Sequence, residues 1–496
     1  MQPIDQDFLA LDLDAIADAA MGQGTSCQEV LLRIHRTSLR FLSMHDGDVE
    51  ASSDSTDLAM SVRVLIDGSW GFAGSQVISV PAAIALVKQA CALAVLSKPL
   101  ARISQRPAPE PSHGRVTWVS DYQIDPFSVP SSDVIDLLRD RSHELLKAPI
   151  TTHADLDVTF VKEATFVAHS NGSRISQQRV RVGPSVQITT ISELGFDSLK
   201  SLAPPVGRGW EYLLGTGWDW DGELAQLPEL LEEKHRAPTV DAGTYDIVID
   251  ATNLWLTIHE SIGHATELDR ILGYESNYAG TSFVPADGVG TLKYGSPLMN
   301  IRADRTVPHG LATTGFDDEA VKTTQWDLVA DGYLAGFQLD RATAGLAGYG
   351  QSNGCAYAES GTLYPIQRMA NVNLVPDPNG PSMQQLLATL DDGLYIVGDN
   401  SWSIDMQRYN FQFTGQRFHR VKNGVIVGQV KDAAYQGRTP DFWASMEVLG
   451  NESTYKLMGA LNCGKAQPGQ SAPVSHGTPS ALFRGVNILN STQEVQ

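Results

Sequence analysis

Asp-Gly and Asn-Gly pairs recur between short apolar runs, at Asp46-Gly47, Asp67-Gly68, Asn171-Gly172, Asp331-Gly332 and Asn423-Gly424. Both central residues of a type I′ turn need a positive φ, which Gly adopts freely and Asn or Asp tolerates. Each pair therefore predicts a tight hairpin. Because the five hairpins are spread over the whole length, they indicate a protein built on antiparallel sheets.

Five segments between the hairpins follow a helical pattern: Pro81–Leu96, Ser132–Leu146, Glu223–His235, Pro381–Leu390 and Pro440–Leu449. Proline near the start of three of them suits a first helical turn. The first lies in the most apolar stretch of the chain, Val77–Leu96, which Pro81, Lys88 and Gln89 interrupt. We expect this stretch to be too polar to span a membrane and to form a buried helix.

A composition change in the middle of the chain suggests two domains. The segment KHRAPTVDAGTY, residues 234–245, follows an acidic helical pattern and precedes the strand-like run Ile247–Asp250. A chain of 496 residues exceeds what one core usually covers. We predict an α+β protein in which residues 1–238 form an antiparallel sheet with helices. Residues 239–496 form a β-rich, barrel- or sandwich-like domain.

The charge balance narrows the classes of partner. Lys and Arg total 36 and Asp and Glu total 57, which gives a net charge of −21. Nucleic acids and anionic membranes bind clusters of Lys and Arg. The sequence has no such cluster, so we expect neither a nucleic acid nor a membrane as a partner.

The cysteines and the first residues bear on the compartment. Cys27, Cys91, Cys355 and Cys463 lie far apart, with no CxxC pair, and are too few for a disulfide framework. The first twenty residues hold five acidic residues and no basic one, unlike a secretory signal. We therefore expect reduced thiols and a cytoplasmic location.

The most informative motif is HExxxH, formed by His259, Glu260 and His264. In the common zinc-peptidase motif HExxH, the histidines are four apart and share one face of a helix. At about 3.6 residues per turn, a spacing of five turns the second side chain away by about 140°. A single π-type turn would bring the rings together, and Gly263 loosens the helix at that point. We therefore predict an irregular helix between Ile258 and Ala265, which carries the motif.

His259, Glu260 and His264 are residue types that can bind a metal ion and activate a water molecule. Neutral imidazoles bind Zn²⁺, and a catalytic zinc takes about three protein ligands. Glu260 can accept a proton from the water and pass it to a leaving amine. The third ligand can be the carboxylate of Glu267, three residues after His264, or the thiolate of Cys463 beside Gly464. On its own, HExxxH is a weak signal, because two ordinary helix histidines account for most occurrences of this pattern.

Several separated stretches resemble the TldD/PmbA family of zinc metallopeptidases. They are VRVLIDGSWGFA (Val62–Ala73), HExxGHxxExD (His259–Asp269), the segment Tyr357–Leu374 with PxxRMxN, the segment Gly398–Phe413, and the C-G-K tail Cys463–Ser480. The resemblance covers nearly the whole chain, and the combined pattern is highly specific. The family contains zinc-bearing subunits and related subunits without the metal motif, and this chain resembles the zinc-bearing kind.

The resemblance implies a set of roles. It implies His259, His264 and Cys463 as zinc ligands, Glu260 as the general base, and Glu267 as a residue that supports a ligand. It implies hydrolysis of unfolded or flexible peptides, in the maturation of peptide precursors or in protein turnover. It also implies a dimer, either with a metal-free TldE/PmbA-like subunit or with a second copy. No role follows for His476.

Two other functions stay open. The chain can be a non-catalytic peptide-binding or regulatory subunit, although the complete HExxxH motif argues against this. It can also be a metal amidase acting on a non-peptide substrate, since activated water attacks either carbonyl. Arg368 has two interpretations: it holds a carbonyl or carboxylate of the substrate, or it forms a structural salt bridge.

Overall fold

The first sheet of the protein contains seven long strands. In the computed structural model, which describes residues 2–466 and 468–492, these strands are β1 (Glu29–His45), β2 (Asp48–Ile66), β3 (Ser69–Ser75), β4 (Arg115–Val119), β5 (His153–His169), β6 (Arg174–Ser192) and β7 (Gly195–Lys200). Their order is β3-β2-β1-β5-β6-β4, and β7 pairs with β6. Every pair is antiparallel except β4 with β6.

Helices cover one face of this sheet. They are α1 (Gln6–Leu9), α2 (Leu13–Gln23), α3 (Val80–Ser97), α4 (Ser131–Leu146) and α5 (Trp220–Arg236). The even-numbered apolar residues of β1, from Val30 to Met44, point toward these helices and form two neighbouring cores. Because side chains alternate along a strand, the odd-numbered residues Arg33 and His35 lie on the opposite face, where both are buried.

The second half of the chain contains fifteen strands and five helices among the described residues. The strands are β8 (Gly243–Ile249), β9 (Ile301–Asp304), β10 (Gln325–Ala330), β11 (Tyr333–Leu334), β12 (Ala356–Tyr357), β13 (Ile366–Gln367), β14 (Asn371–Leu374), β15 (Asp392–Ile404), β16 (Asn410–Lys422), β17 (Val425–Val430), β18 (Ala433–Arg438), β19 (Met446–Leu449), β20 (Lys456–Lys465), β21 (Gln470–Thr478) and β22 (Ala481–Asn490). The helices are α6 (Ala251–Ile258), α7 (Leu268–Ile271), α8 (Arg341–Leu346), α9 (Met383–Leu387) and α10 (Thr439–Ala444).

Five of these strands close into a barrel. The ring runs β15-β8-β22-β18-β16 and returns to β15. Closure leaves no unpaired edge in the ring. A smaller sheet, β11-β10-β9-β14, and the hairpin β20-β21 lie beside the barrel. The α+β class, the antiparallel sheet and the barrel-like second half are therefore confirmed.

The predicted hairpins are confirmed. Each of the five Asp-Gly and Asn-Gly pairs joins two consecutive antiparallel strands. Both residues have a positive φ in four of the pairs, whereas in Asn171-Gly172 only the glycine does.

The predicted helices fare unevenly. The first three are confirmed within three residues at each end, as α3, α4 and α5. The helix predicted at Pro381–Leu390 is shorter, since α9 covers Met383–Leu387. The helix predicted at Pro440–Leu449 is wrong in its second half. Residues Met446–Leu449 pair with β22 as a strand, because the barrel offers backbone partners there.

The expectation for α3 also needs correction. The segment Val80–Leu100 is long and apolar enough to cross a membrane by length and composition alone, and only 28% of its 18-residue apolar window is buried. One face packs on the first sheet through residues such as Leu86 and Ala90, while Leu96 and Leu100 are exposed. A helix that covers a sheet can meet the same criterion, so this one is weak evidence for a membrane span.

Buried ion pairs join the charged face of the first sheet to the second half of the chain. Arg33 contacts Asp318 at 3.1 Å, and Glu29 contacts Arg341 at 2.6 Å. Arg63 contacts Glu319 at 2.5 Å. The domain boundary at residues 238 and 239 stays a prediction. Separating a buried ion pair would leave both charges without a partner, which is costly. These contacts therefore stabilise the association of the two halves.

The packing of α3 on β3 gives a first test. A Cβ on Gly71 would lie 1.8 Å from the carbonyl oxygen of Ala90, whereas a Cβ on Gly22, in the last turn of α2, would meet nothing within 4 Å. We expect Gly71→Ala to destabilise the protein by about 1–3 kcal/mol through overpacking. Gly22→Ala should stabilise it by about 0.5–1 kcal/mol. Denaturant unfolding followed by tryptophan fluorescence measures both, and equal midpoints would contradict the packing argument.

Candidate metal centre

The HExxxH motif lies at the end of α6, where the helix changes type. The side chain of Asp250 caps α6 by accepting a hydrogen bond from the backbone N–H of Thr252. Residues His259–Gly263 then form a π turn, in which the N–H of His264 donates to the carbonyl of His259, five residues back. The two imidazole rings are 4.7 Å apart between centroids. The predicted irregular helix is therefore confirmed.

Gly263 lies against a side chain that the sequence did not place there. Its φ of −52° is an ordinary helical value, so the turn does not depend on the conformational freedom of glycine. A Cβ at this position would lie 2.5 Å from the sulfur of Met369. A larger residue here would force the end of the Met369 side chain to shift, so the PxxRMxN segment packs closely against the π turn.

Three potential ligands converge beside this turn. One ligand atom each from His259, His264 and Cys463 lies within 4.8 Å of the others, and the Sγ of Cys463 is 3.6 Å from Nε2 of His264. Cys463 reaches the site from β20, where the register with β21 shifts between Ala460 and Cys463. A tetrahedral zinc with ordinary bond lengths holds sulfur and nitrogen about 3.5 Å apart. The donor set and its spacing therefore fit zinc.

Hydrogen bonds on the far side of each ring select the nitrogen that faces the centre. Nδ1 of His476 donates to the carbonyl of Val372 at 2.9 Å, so its Nε2 accepts from Nδ1 of His259 at 2.8 Å. Nδ1 of His264 donates to Glu267 at 2.9 Å. Nε2 of both His259 and His264 is thereby left with a lone pair, as metal ligation requires.

The electrostatics favour the ligating forms. Burial lowers the pKa of His259, which keeps the ring neutral. Burial opposes ionisation of Cys463, but the neighbouring His264 and Arg368 lower the pKa of the thiol below its ordinary value. Burial likewise opposes ionisation of Glu267, and Lys465 with His264 holds its pKa well below the usual range. A neutral imidazole at His259 and a thiol that ionises readily at Cys463 suit the binding of a divalent cation.

Glu267 lies behind His264 and not beside the other ligands. One carboxylate oxygen contacts His264 and Arg270, at 2.9 and 3.2 Å, and the other lies 3.2 Å from Nζ of Lys465. Both oxygens are therefore engaged away from the centre. Of the two candidates for a third ligand, Cys463 has the position that suits a ligand.

Glu260 faces a cation that the sequence analysis missed. Its Oε2 accepts from Nη1 of Arg408 at 2.7 Å, and Arg408 is held in the left-handed region with a φ of 63°. Burial opposes ionisation of Glu260, but His259, His264 and Arg408 lower its pKa. Glu260 is therefore an anion beside the candidate ligands. Arg408 lies in the family-like segment Gly398–Phe413, and nothing in its spacing pointed to the site.

His476 and Arg368 also take definite places. His476, for which the sequence predicts no role, lies behind His259 at 2.8 Å. Its position in the same tail as Cys463 was the only signal in the sequence. Arg368 forms no salt bridge within residues 2–466 and 468–492, and its contact with a substrate stays a prediction. Its guanidinium donates instead to the backbone carbonyls of Cys463 and Gln470. Arg368 therefore links β20, which carries Cys463, to β21.

Two family models match the chain. The model of the PmbA/TldA metallopeptidase C-terminal domain matches residues 242–490, and the model of PmbA/TldA metallopeptidase domain 1 matches residues 30–94. A metalloprotease of Methanothermobacter thermautotrophicus is 27% identical over 496 residues, covering 98% of this chain and 99% of that protein. A zinc metalloprotease TldD homolog of Saccharolobus solfataricus is 24% identical over 272 residues, covering 55% and 57%.

Solved structures share the fold. A Thermotoga maritima protein, described as a candidate modulator of a DNA gyrase, superposes with a TM-score of 0.76 at 17% identity, covering 96% of this chain and 100% of that one. TldE from Thermococcus kodakarensis superposes with a TM-score of 0.69 at 16% identity, covering 96% and 99%. At such identities the likeness speaks for the fold alone.

The hydrogen bond between His476 and His259 gives a second test. We expect His476→Ala to weaken zinc binding by about 10–100-fold, because His259 loses the acceptor that fixes its tautomer and orientation. His419 is a suitable control, since it is also buried but lies in the barrel wall. His419→Ala should leave the zinc affinity unchanged. Competition with a chromophoric chelator measures both, and equal affinities for the two variants would remove His476 from the site.

Proposed function

Since this chain belongs to the PmbA/TldD family of metallopeptidases, we propose that it is a zinc peptidase that hydrolyses peptide bonds in unfolded or flexible chains. The observation that carries this proposal is the convergence of His259, His264 and Cys463 beside the carboxylate of Glu260. Relatives named metalloproteases support the reaction class. A relative named a zinc metalloprotease supports the choice of metal.

The three ligands would hold the ion through Nε2 of both histidines and Sγ of the cysteine. A zinc ion held in this way supplies a Lewis acid for a carbonyl and lowers the pKa of water toward about 7. His476 and Glu267 keep the two imidazoles in the ligating tautomer. The ion pairs of Glu267 with Arg270 and Lys465 hold that carboxylate in place.

Glu260 would act as the proton shuttle. Arg408 occupies its Oε2, while Oε1 makes no hydrogen bond within residues 2–466 and 468–492. That oxygen can take a proton from the attacking water and deliver it to the nitrogen of the leaving amine. Arg408 would keep the carboxylate ionised and fix its direction.

Restricted access supports an extended substrate. His259, Glu260, His264 and Cys463 are each no more than 7% exposed. A folded protein cannot present its backbone to groups buried so deeply, whereas an extended chain can enter and pair with a strand edge. We propose that such chains arise in protein turnover or in the maturation of peptide precursors.

We further propose that the protein acts as a dimer, with a metal-free TldE/PmbA-like subunit or with a second copy. The shared fold of TldE from Thermococcus kodakarensis supports a pairing of similar subunits. The four free cysteines support a reducing compartment such as the cytoplasm. Mass measurement of the purified chain, alone and mixed with such a relative, tests the assembly.

Two substitutions separate catalysis from metal binding. Glu260→Gln should keep zinc and the fold, because an amide replaces a carboxylate of nearly the same shape. Its turnover rate should fall by a factor of about 10²–10⁴ or more, since glutamine cannot accept the proton. Cys463→Ala should lose zinc and activity together. The exposed Glu452 serves as the control, and Glu452→Gln should change neither quantity.

The outcomes distinguish the alternatives. Near-native peptide hydrolysis by zinc-loaded Glu260→Gln would remove Glu260 from the mechanism. Full zinc occupancy in Cys463→Ala would overturn the ligand set. A zinc-loaded wild-type protein that binds peptides but cleaves none, with and without its metal-free relative, would favour a regulatory subunit.

Access and metal dependence give a fourth test. A denatured protein substrate should be cleaved while its folded form resists, because only the extended chain reaches the buried groups. Chelation should abolish cleavage, and added zinc should restore it. Gel analysis of one substrate in both forms provides the measurement. Equal cleavage rates for the two forms would contradict the proposal that access selects extended chains.

A further inference from the structure

Four arginines surround one small cavity between the first sheet and the second half of the chain. They are Arg179 and Arg181 from β6, Arg305 just after β9, and Arg368 just after β13. The cavity has a volume of about 10 Å³. Ala312, Tyr357, Met369, Ala472 and Pro473 complete its lining. No carboxylate is among the residues that line it.

The positive charge around this cavity exceeds the negative charge nearby. Arg179 and Arg181 both contact the same oxygen of Glu163, whose other oxygen accepts from the hydroxyl of Tyr357 at 3.0 Å. Arg368 donates only to backbone carbonyls. One carboxylate therefore serves two of the four cations.

Arg305 is the least compensated of the four. Within residues 2–466 and 468–492, its side chain makes no hydrogen bond and no ion pair. The nearby acids are engaged elsewhere, since Asp318 pairs with Arg33. Asp317 accepts backbone N–H groups of Glu319, Val321 and Ala356. A buried guanidinium without a partner is costly.

Unused donors belong to three of these arginines. Nη2 of Arg181, Nε of Arg305 and Nε of Arg368 are buried atoms without a hydrogen-bond partner. Each of the four side chains belongs to a residue that is no more than 6% exposed. Water outside the protein cannot reach these groups, so a water molecule or an ion inside the cavity would satisfy the donors that point into it.

We propose that this cavity is a binding site for a single small inorganic anion, with chloride as the expected occupant. A volume near 10 Å³ suits one monatomic ion or one water molecule and is too small for a peptide carboxylate with its chain. A chloride ion accepts several N–H donors at once and supplies the missing negative charge. Four guanidinium groups around the cavity favour the anion over neutral water.

The anion would tie together segments that are distant in sequence. Arg179 and Arg181 belong to the first sheet, whereas Arg368 holds the carbonyl of Cys463 in the hairpin β20-β21. An anion between them would offset the repulsion of the cations at this contact between the two halves. No candidate metal ligand lines the cavity, although Arg368 contacts the backbone of Cys463, and the anion site does not depend on the proposed peptidase activity.

Unfolding of the full-length, zinc-loaded protein tests the proposal. The thermal midpoint is measured while gluconate, which is too large for the cavity, is replaced by chloride at constant ionic strength. We expect a rise on the order of 2–4 °C, because the folded state alone binds the ion. Arg305→Met should abolish this response and should melt above the wild type without chloride, since it removes an uncompensated buried charge.

Arg302 is a matched control that lies on β9, three residues before Arg305, because its guanidinium is exposed and pairs with Asp327 at the surface. Arg302→Met should keep the full chloride response. Diffraction from crystals grown with bromide, which scatters anomalously, provides a second readout that needs no variant. A bromide peak among the four arginines supports the site. A chloride-independent midpoint in the wild type, an undiminished response in Arg305→Met, or a cavity without a bromide peak would overturn it.

Discussion

One backbone hydrogen bond, from the N–H of His264 to the carbonyl of His259, sets the geometry on which the candidate centre depends. In a regular helix this spacing would turn the rings about 140° apart. The π turn inserts the extra residue and directs both rings to one side. Met369 packs against the turn at Gly263, where a Cβ would force the end of the Met369 side chain to move. The unusual turn is therefore held by tertiary packing as much as by its own hydrogen bond.

Buried charges surround this turn and support it from behind. Glu267 joins His264 to Arg270 and Lys465, and Lys465 belongs to the same strand as Cys463. The lysine thereby connects the helix that supplies two potential ligands to the hairpin that supplies the third. A buried charge network of this kind costs desolvation, and it fixes one arrangement only when its members are paired. Here the pairing fixes the distance between the helix and the hairpin.

The first sheet contributes through its charged face. Alternation along β1 directs apolar residues to the helices and Arg33 and His35 to the other half of the chain. The ion pairs with Asp318, Glu319 and Arg341 then hold these three residues against the sheet. Arg368 and Met369 line a cavity together with Arg179 and Arg181 of the first sheet. Because Arg368 and Met369 also contact Cys463 and Gly263, the packing of the two halves bears on the candidate metal centre.

Local chemistry allowed the sequence alone to determine a large part of this structure. The five hairpins followed from the φ that their turns require, and the irregular helix followed from the spacing of His259 and His264. Cys463 entered as a candidate from its residue type and from the tail it shares with a known family. Each of these inferences uses a property that acts within a few residues or one that is specific to a residue type.

The remainder depended on contacts between residues far apart in the chain. Met446–Leu449 has a helical pattern, yet it is a strand because β22 offers a partner. His476, Arg408 and the partners of Arg368 could not be assigned, because a lone histidine or arginine has no spacing that identifies its partner. Only the folded chain brings His476 against His259 and four arginines around one cavity. Burial then gives those charges and hydrogen bonds their strength, and burial is a property of the tertiary structure.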